Sequence, residues 1–265
     1  MKRNLVFGFL LLTVLSCAAQ NTASTQGLRL YDDFNRRFLD PSRWSTIGAC
    51  YTTNGLEQEC VREIQDGQRL RLAHRNYGNR DTDAGFQFGD ANVFFAHPSR
   101  IKSITTEMTV VQTAESPCPA NPEFGAQAQI DATFFNTGSG NPNDDVGGHL
   151  AFGHNTSTSA GQTFVFGNMS QGNNYFGYTP LGNVPFGTPV TATLTWDQPN
   201  HQFLVSWTNL VTNVTTAAAM PYSLADTKPA TNPSKDLSVN TFPANCTAKP
   251  TWVFVEATFD NVYIE

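Results

Sequence analysis

The stretch "AQAQIDATFF", residues 126–135, alternates apolar and polar side chains with almost no interruption. The apolar positions are Ala126, Ala128, Ile130, Ala132 and Phe134, and the polar positions between them are Gln127, Gln129, Asp131 and Thr133. A period of two is typical of a β-strand with one buried face. The segment therefore predicts a strand whose outer side carries several hydrogen-bonding groups.

Other segments rich in β-branched and aromatic residues recur along the chain, with Gly, Asn, Pro and Asp between them. They span residues 69–74, 103–112, 148–154, 162–167, 190–196, 202–207 and 251–265. The turn residues of "WDQPNHQF", residues 196–203, predict a tight hairpin. The best helix candidate is the short "PYSLADTK", residues 221–228. This pattern predicts an all-β fold, a two-sheet antiparallel jelly-roll sandwich.

The first twenty residues, "MKRNLVFGFLLLTVLSCAAQ", have a basic start, an apolar run and small residues after it. This composition predicts a secretory signal peptide over residues 1–20, followed by a short polar leader over 21–27 and a single domain over 28–265. The exit "VLSC" resembles a bacterial lipobox, in which Cys17 would be lipidated, and cleavage after Ala19 is the alternative. Either way the chain is expected in the extracellular space or the cell envelope, with a lipid on Cys17 as its only contact with a membrane.

The charge balance is mildly acidic, with 16 basic and 22 acidic residues in the full chain. No cluster of lysine and arginine forms a basic patch, which argues against a nucleic-acid partner. No apolar stretch after the signal peptide reaches the length of a bilayer span.

Four cysteines remain after the signal peptide, namely Cys50, Cys60, Cys118 and Cys246. An even number in an oxidising compartment predicts two disulfides, for which three pairings exist. We favour Cys50–Cys60, which closes a short loop, together with Cys118–Cys246, which joins two distant loops. Zinc is disfavoured because no C-x-x-C or paired histidine spacing accompanies these cysteines.

The two ends of the domain carry a family resemblance. The opening "LYDDFNRRFLDPSRWS" (30–45) and the closing "EATFDNVYIE" (256–265) are similar to the first and last strands of concanavalin A-like lectin/glucanase domains, including LamG and laminarinase-like members. The resemblance implies a jelly roll and a structural Ca²⁺ held by the Asp260 carboxylate and by backbone carbonyls near Asp33 and at Gly67. Oxygen ligands of this kind suit Ca²⁺. The alternative is that Asp260 only caps nearby amides at a strand end.

The same resemblance implies where catalytic residues would lie. Related hydrolases carry E-x-D-x-x-E or E-x-D-x-E on one strand, and the best match here places Asp131 on the middle position. Gln129 and either Thr133 or Phe134 replace the two glutamates. A retaining glycosidase needs two carboxyl groups, so this motif assigns no catalytic residue.

The leading hypothesis is an exported domain that binds a carbohydrate or another cell-surface ligand. Its candidate ligand-binding residues are Gln127, Gln129, Asp131, Thr133, Glu107 and His149. One alternative is a glycoside hydrolase or polysaccharide lyase with a displaced catalytic set, and another is a structural or adhesive envelope protein. The segment "GNNYFGYTP" (172–180) offers aromatic side chains that either stack on a sugar ring or pack beneath their own loop.

Overall fold

The computed structural model describes residues 27–45, 50–53, 58–65, 68–172 and 174–265. They form two antiparallel sheets of eight strands each, which confirms the predicted all-β two-sheet sandwich. The signal peptide, the leader up to residue 26 and Cys17 lie outside the described residues.

Sheet I has the strand order β13-β12-β11-β6-β16-β4-β3, and β1 pairs with β16. Its strands are β1 (Arg29–Asp32), β3 (Gln58–Gln65), β4 (Arg69–Tyr77), β6 (Ser103–Ser116), β11 (Val190–Asp197), β12 (Gln202–Asn209), β13 (Thr215–Pro221) and β16 (Trp252–Ile264). Sheet II has the order β10-β9-β8-β7-β15-β5-β2, and β14 pairs with β7. Its strands are β2 (Cys50–Thr52), β5 (Gly89–Phe94), β7 (Phe124–Asn136), β8 (Asp145–Asn155), β9 (Gln162–Gln171), β10 (Asn174–Pro185), β14 (Lys228–Pro229) and β15 (Lys235–Pro243).

All eight segments predicted as strands lie within or largely coincide with strands of the structure. The hairpin is confirmed as well, because β11 pairs with β12 across a 3-10 turn over Gln198–Asn200. The helix candidate over 221–228 is wrong, since that segment is irregular and leads into β14. Its length of two helical turns is too short to be stable without a packed apolar face.

Strand β7 has the predicted alternation. Ala128, Ile130 and Ala132 are fully buried, whereas Gln127 and Asp131 on the other face are partly exposed. A bulge between Thr133 and Phe135 ends the regular pairing with β8. The apolar side of this strand therefore belongs to the core, and the polar side forms part of the outer face of sheet II.

The inner faces of the two sheets meet in one continuous apolar core. The approach is close where Gly148 of β8 lies over sheet I, because a Cβ at this position would come within 3.0 Å of the Phe203 ring and 3.2 Å of Leu194. A glycine here lets the two sheets pack closely, which keeps the backbone of β8 fixed beneath the outer face.

Two disulfides, Cys50–Cys60 and Cys118–Cys246, have the pairing that was favoured from the sequence. The first links β2 of sheet II to β3 of sheet I, and the second joins the segment after β6 to the segment after β15. Within the described ranges, no helix has the length and apolar character needed to cross a bilayer.

Candidate ligand-binding face of sheet II

The outer face of sheet II, called the sheet II face below, is built around β7. Its neighbours are β8 on one side and β15 on the other, and β9 and β5 follow outward. Because side chains on directly paired residues point to the same face, the strand register defines rows of side chains that run across the sheet.

One row crosses the sheet at Asp131. It contains Asp236 of β15, Asp131, His149 of β8 and Asn168 of β9, each the paired neighbour of the one before. A second row contains Asn92 of β5, Ser238, Gln129, Ala151 and Phe166. A third row contains Tyr51 of β2, Asp90, Asn240, Gln127, Gly153 and Phe164. Amide, carboxyl and hydroxyl groups thus occupy the middle of the face, and aromatic rings stand at its sides.

The aromatic side along β9 and β10 is partly open to solvent. Tyr175 and Tyr178 have 68% and 61% of their surface exposed, respectively. The Phe164 and Phe166 rings stack with centroids 5.1 Å apart, and Tyr178 lies 5.4 Å from Phe166. Gly153 makes room for this arrangement, since a Cβ there would lie 2.7 Å from the Phe164 ring.

A second group of rings lies near the opposite edge, around β5 and the end of β15. The Phe88 ring lies 5.4 Å from Phe242 and 6.2 Å from Tyr51, measured between centroids. Tyr51 and Phe86 have 53% and 60% of their surface exposed. Exposed rings on both sides of a polar strip provide apolar surfaces on which planar or ring-shaped ligands can stack.

The polar groups of β7 form a chain of hydrogen bonds. Gln127 Nε2 donates to Gln129 Oε1 at 2.8 Å, and Gln129 Nε2 lies 3.5 Å from Asp131 Oδ2. The same Asp131 oxygen lies 3.2 Å from His149 Nδ1. These bonds hold the candidate side chains in one defined orientation.

Two further carboxyl groups share the face with Asp131. Burial, together with the charges of Asp131 and Asp90, raises the pKa of Asp236 well above its ordinary value. Burial and the Asp131 charge also raise the pKa of Asp90 to about 6, although a hydrogen bond from Asn92 acts in the opposite direction. The face therefore places two carboxyl groups that lose their protons at higher pH than usual beside a third carboxyl group.

Several buried oxygen atoms of this face have no hydrogen-bond partner among the described residues. They include the Oδ1 atoms of Asp90, Asn92, Asn168 and Asn240. Buried acceptors are almost always paired with a donor in folded proteins. The Asn92, Asn168 and Asn240 side chains therefore place additional amide groups in the rows beside Asp131, Gln129 and Gln127.

The structure brings together most of the residues proposed from the sequence. Gln127, Gln129, Asp131 and His149 share the sheet II face, and Thr133 lies one position beyond Asp131 on the same side of β7. Glu107 must be corrected, because it lies on β6 of sheet I and pairs with Asp260. Alternation along a strand does not show which of the two sheets that strand joins. The sequence alone therefore could not separate Glu107 from the candidate ligand-binding residues of β7.

Asp90, Asn92, Asp236, Ser238 and Asn240 were missed from the sequence. They lie on β5 and β15, neither of which was recognised as a strand. The signal was present in β15, where Asp236, Ser238 and Asn240 alternate with Leu237, Val239 and Thr241. Ser170 was also missed, because only the structure places it 2.9 Å from His149 Nε2.

Two residues of the expected calcium site lie at sheet I, since Asp260 is on β16 and Asp33 directly follows β1. Burial raises the pKa of Asp260, and the charges of Glu107 and Asp33 add to this effect, while Arg69 opposes it. Arg69 Nε lies 3.8 Å from Asp260 Oδ2. Asp33 is half-buried and accepts a hydrogen bond of 2.6 Å from Asn35 Nδ2. Gly67 lies outside the described residues.

No protein-family model and no curated protein matches this sequence. Solved structures do resemble the fold. They include the winged bean acidic lectin complexed with methyl-α-D-galactose, at 12% identity and a TM-score of 0.38, covering 81% of this chain and 98% of that chain. Peanut lectin with a nine-residue peptide matches at 14% identity and a TM-score of 0.39, covering 81% of this chain and 96% of that chain.

A third similar structure is the xylan β-1,4-xylosidase from Bacillus halodurans C-125, at 11% identity and a TM-score of 0.40. The match covers 88% of this chain and 38% of that chain. Each comparison relates most of this chain to a protein of very different sequence.

Proposed function

We propose that this protein is an exported carbohydrate-binding domain whose ligand lies on the sheet II face. The observation that carries the proposal is the strip of amide, carboxyl and hydroxyl groups between exposed aromatic rings. Sugar hydroxyls both donate and accept hydrogen bonds, so they match amides and carboxylates, and the apolar side of a sugar ring packs against an aromatic ring. A cell-surface glycan is the ligand class that this combination fits.

Three sets of residues would contribute to ligand binding. Asp131 and Gln129 would contact hydroxyl groups at the centre, where their side chains are already held by mutual hydrogen bonds. The amide side chains of Asn240 and Asn92 lie in the same rows as Gln127 and Gln129 and would extend the polar strip toward β5. Tyr175 would provide a stacking surface, because it is largely exposed and lies beside His149 with ring centroids 5.3 Å apart.

A glycan array followed by isothermal titration with the best hit tests this proposal. We expect the double variant Gln129→Ala, Asp131→Ala to weaken binding at least tenfold, since each lost hydrogen bond to a ligand contributes about 1 kcal/mol. Thr193→Ala, on the outer side of β11 in sheet I, is the matched control and should bind like the wild type. An array without a hit, or full affinity in the double variant, contradicts the proposal.

A second candidate function, glycoside hydrolysis, is favoured by the carboxyl groups around Asp131. Asp131 and Asp236 are directly paired on the same face. Paired side chains have Cβ atoms about 4.5–5.5 Å apart, and retaining glycosidases hold their two carboxyl groups about 5 Å apart. The raised pKa of Asp236 suits a general acid, which must hold its proton before the reaction.

Activity assays separate the two functions. Release of reducing sugar from a panel of polysaccharides, abolished in Asp236→Asn, indicates hydrolysis. An increase in ultraviolet absorbance from a new double bond indicates a polysaccharide lyase instead. Neither signal is expected if the face only binds glycans, and a protein with neither activity nor glycan binding is best described as a structural or adhesive envelope protein.

The position near Asp260 is also proposed to hold a structural Ca²⁺. The negative charges of Asp33 and Glu107 act on Asp260, and the positive charge of Arg69 opposes them. Carboxylate and carbonyl oxygens are the donors that Ca²⁺ prefers. Isothermal titration of the chelated protein should show uptake of Ca²⁺ that Asp260→Asn weakens, and the absence of uptake by the wild type contradicts the site.

Export is the last part of the proposal. The two disulfides fit an oxidising compartment. Mass spectrometry of the protein purified from a bacterial host distinguishes the two forms of the N-terminus. A diacylglycerol-modified Cys17, lost in Cys17→Ser, indicates the lipoprotein, whereas an unmodified N-terminus after Ala19 indicates free secretion.

A further inference from the structure

Three side chains on adjacent strands of the sheet II face form a continuous relay. Ser170 Oγ lies 2.9 Å from His149 Nε2. The other ring nitrogen of His149, Nδ1, lies 3.2 Å from Asp131 Oδ2. Each contact is within hydrogen-bond reach, and the imidazole lies between the hydroxyl and the carboxylate.

We propose that Ser170, His149 and Asp131 form a nucleophilic site that cleaves esters. In this arrangement the serine hydroxyl is the nucleophile, the histidine is the general base, and the aspartate orients the imidazole and stabilises its charged form. The arrangement is recognised by these contacts rather than by a sequence motif, because the same three residues occur in different orders and on different folds.

The relay is firmly held by the sheet. Asp131 and His149 are directly paired across β7 and β8, and Ser170 lies on β9, where it pairs with Gly147 of β8. Only 7% of the His149 side chain is exposed, compared with 28% of Asp131. Sites on regular elements keep their geometry more exactly than sites on loops.

The surroundings of Ser170 are tightly packed on the side of β8. Gly147 lies directly beside it, and a Cβ at Gly147 would lie 2.8 Å from the Ala132 carbonyl oxygen and 3.3 Å from Ser170 Oγ. On the other side Ser170 pairs with Tyr175, whose exposed ring contacts the His149 ring. A short acyl chain therefore fits beside the hydroxyl better than a bulky one.

The reaction proceeds in two steps. Ser170 Oγ attacks the ester carbonyl carbon, its proton passes to His149 Nε2, and the bond to the alcohol oxygen breaks as His149 protonates that oxygen. The acyl group is then bound to Ser170. Water attacks this acyl group, gives a proton to His149, and the bond to Ser170 Oγ breaks as the serine recovers its proton, which releases a carboxylic acid.

The substrate class follows from the position of the relay. Asp131 and His149 share a row of the sheet II face, and Ser170 is paired with Tyr175, the proposed stacking residue, so the ester is a short acyl group on a sugar hydroxyl. That part of the inference rests on the proposed function. The reactivity of Ser170 does not rest on the proposed function, because a small ester without a sugar reaches the same hydroxyl.

The test uses the whole mature protein, a fluorophosphonate probe and p-nitrophenyl acetate. We expect one probe adduct, located by mass spectrometry on the peptide that contains Ser170, and hydrolysis of the acetate above the rate in buffer. Ser170→Ala should remove the adduct and the hydrolysis. His149→Gln and Asp131→Asn should lower the labelling rate at least a hundredfold, as expected for loss of a base or its orienting group. Ser206→Ala on sheet I is the matched control and should react like the wild type.

The outcomes distinguish this inference from the proposed function. Wild-type protein that binds glycans but leaves Ser170 unlabelled, and that hydrolyses the acetate no faster than Ser170→Ala, overturns the nucleophilic site alone. Labelling of Ser170 in a protein that binds no glycan on the array supports the site and contradicts carbohydrate binding. A melting temperature of Ser170→Ala close to that of the wild type shows that its loss of reaction is not a loss of folding.

Discussion

At the scale of single residues, the environment of Asp131 determines what the sheet II face can do. Its carboxylate lies between a histidine on one neighbouring strand and Asp236 on the other. The histidine gives it a hydrogen-bonding partner, and Asp236 gives it a like charge whenever both are ionised. One side chain would thus take part in the proposed glycan binding, in the proposed acid pair and in the proposed relay to Ser170.

The raised pKa of Asp90 predicts a pH dependence of stability. An acid with a folded-state pKa near 6 holds its proton more tightly in the folded than in the unfolded chain, where the pKa is near 3.8. The free energy of unfolding should therefore fall as the pH rises from about 4 to 6.5, with a contribution from Asp90 of about 2 to 3 kcal/mol. Urea titrations at several pH values should show a smaller fall in Asp90→Asn, and superimposable profiles contradict the assignment.

Gly78 is predicted to be intolerant of any side chain. A Cβ at this position would lie 2.0 Å from the Ala244 carbonyl oxygen and 2.2 Å from Thr251 Oγ1. The carbonyl is backbone, so relief requires a shift of the chain, and Gly78→Ala should lower the free energy of unfolding by about 2 to 3 kcal/mol. Gly125→Ala is the control, because its nearest neighbour is the Phe242 ring at 3.2 Å, which can move. Equal urea midpoints for the two variants contradict this explanation.

At the scale of elements, the inner face of β7 contributes to stability and its outer face carries the candidate ligand-binding residues. Its inner side chains belong to the core between the sheets, whereas its outer side chains meet the proposed ligand. Neighbouring residues of this strand therefore have different roles, because one packs in the core and the next lies on the sheet II face.

Substitutions on the two faces of β7 should differ accordingly. Ile130 is fully buried, so Ile130→Ala should lower the free energy of unfolding by about 2 to 5 kcal/mol. Gln129→Ala should lower it by about 1 kcal/mol, because it removes the hydrogen bond from Gln127 but leaves no cavity in the core. Urea denaturation with unchanged m-values measures both, and a larger loss in Gln129→Ala contradicts the assignment of faces.

At the scale of the whole molecule, the two disulfides restrict the unfolded chain to different degrees. Cys118 and Cys246 are separated by 128 positions, whereas Cys50 and Cys60 are separated by 10. A cross-link that closes a long loop removes more conformational entropy from the unfolded chain.

Replacing both cysteines of each pair by alanine should reveal this difference. The chain-entropy relation gives a loss of about 5 kcal/mol for the Cys118–Cys246 pair and about 3 kcal/mol for the Cys50–Cys60 pair. Guanidinium unfolding of the two double variants, with the wild-type protein with both disulfides intact as reference, measures both losses. A greater loss for the Cys50–Cys60 pair shows that local contacts matter more than loop length.

The sequence by itself determined the fold class and the strand character of residues 126–135, and it favoured the two disulfide pairs that the structure contains. These features depend on local alternation, turn residues and cysteine spacing, all of which are visible along the chain. Only the tertiary structure decided which residues form the candidate site. It brought Asp90, Asp236 and Ser170 to Asp131 and His149, and it separated Glu107 from them. The physical reason is that strand order and register are fixed by how two sheets bury their apolar faces together, and alternation within one strand carries no information about its neighbours.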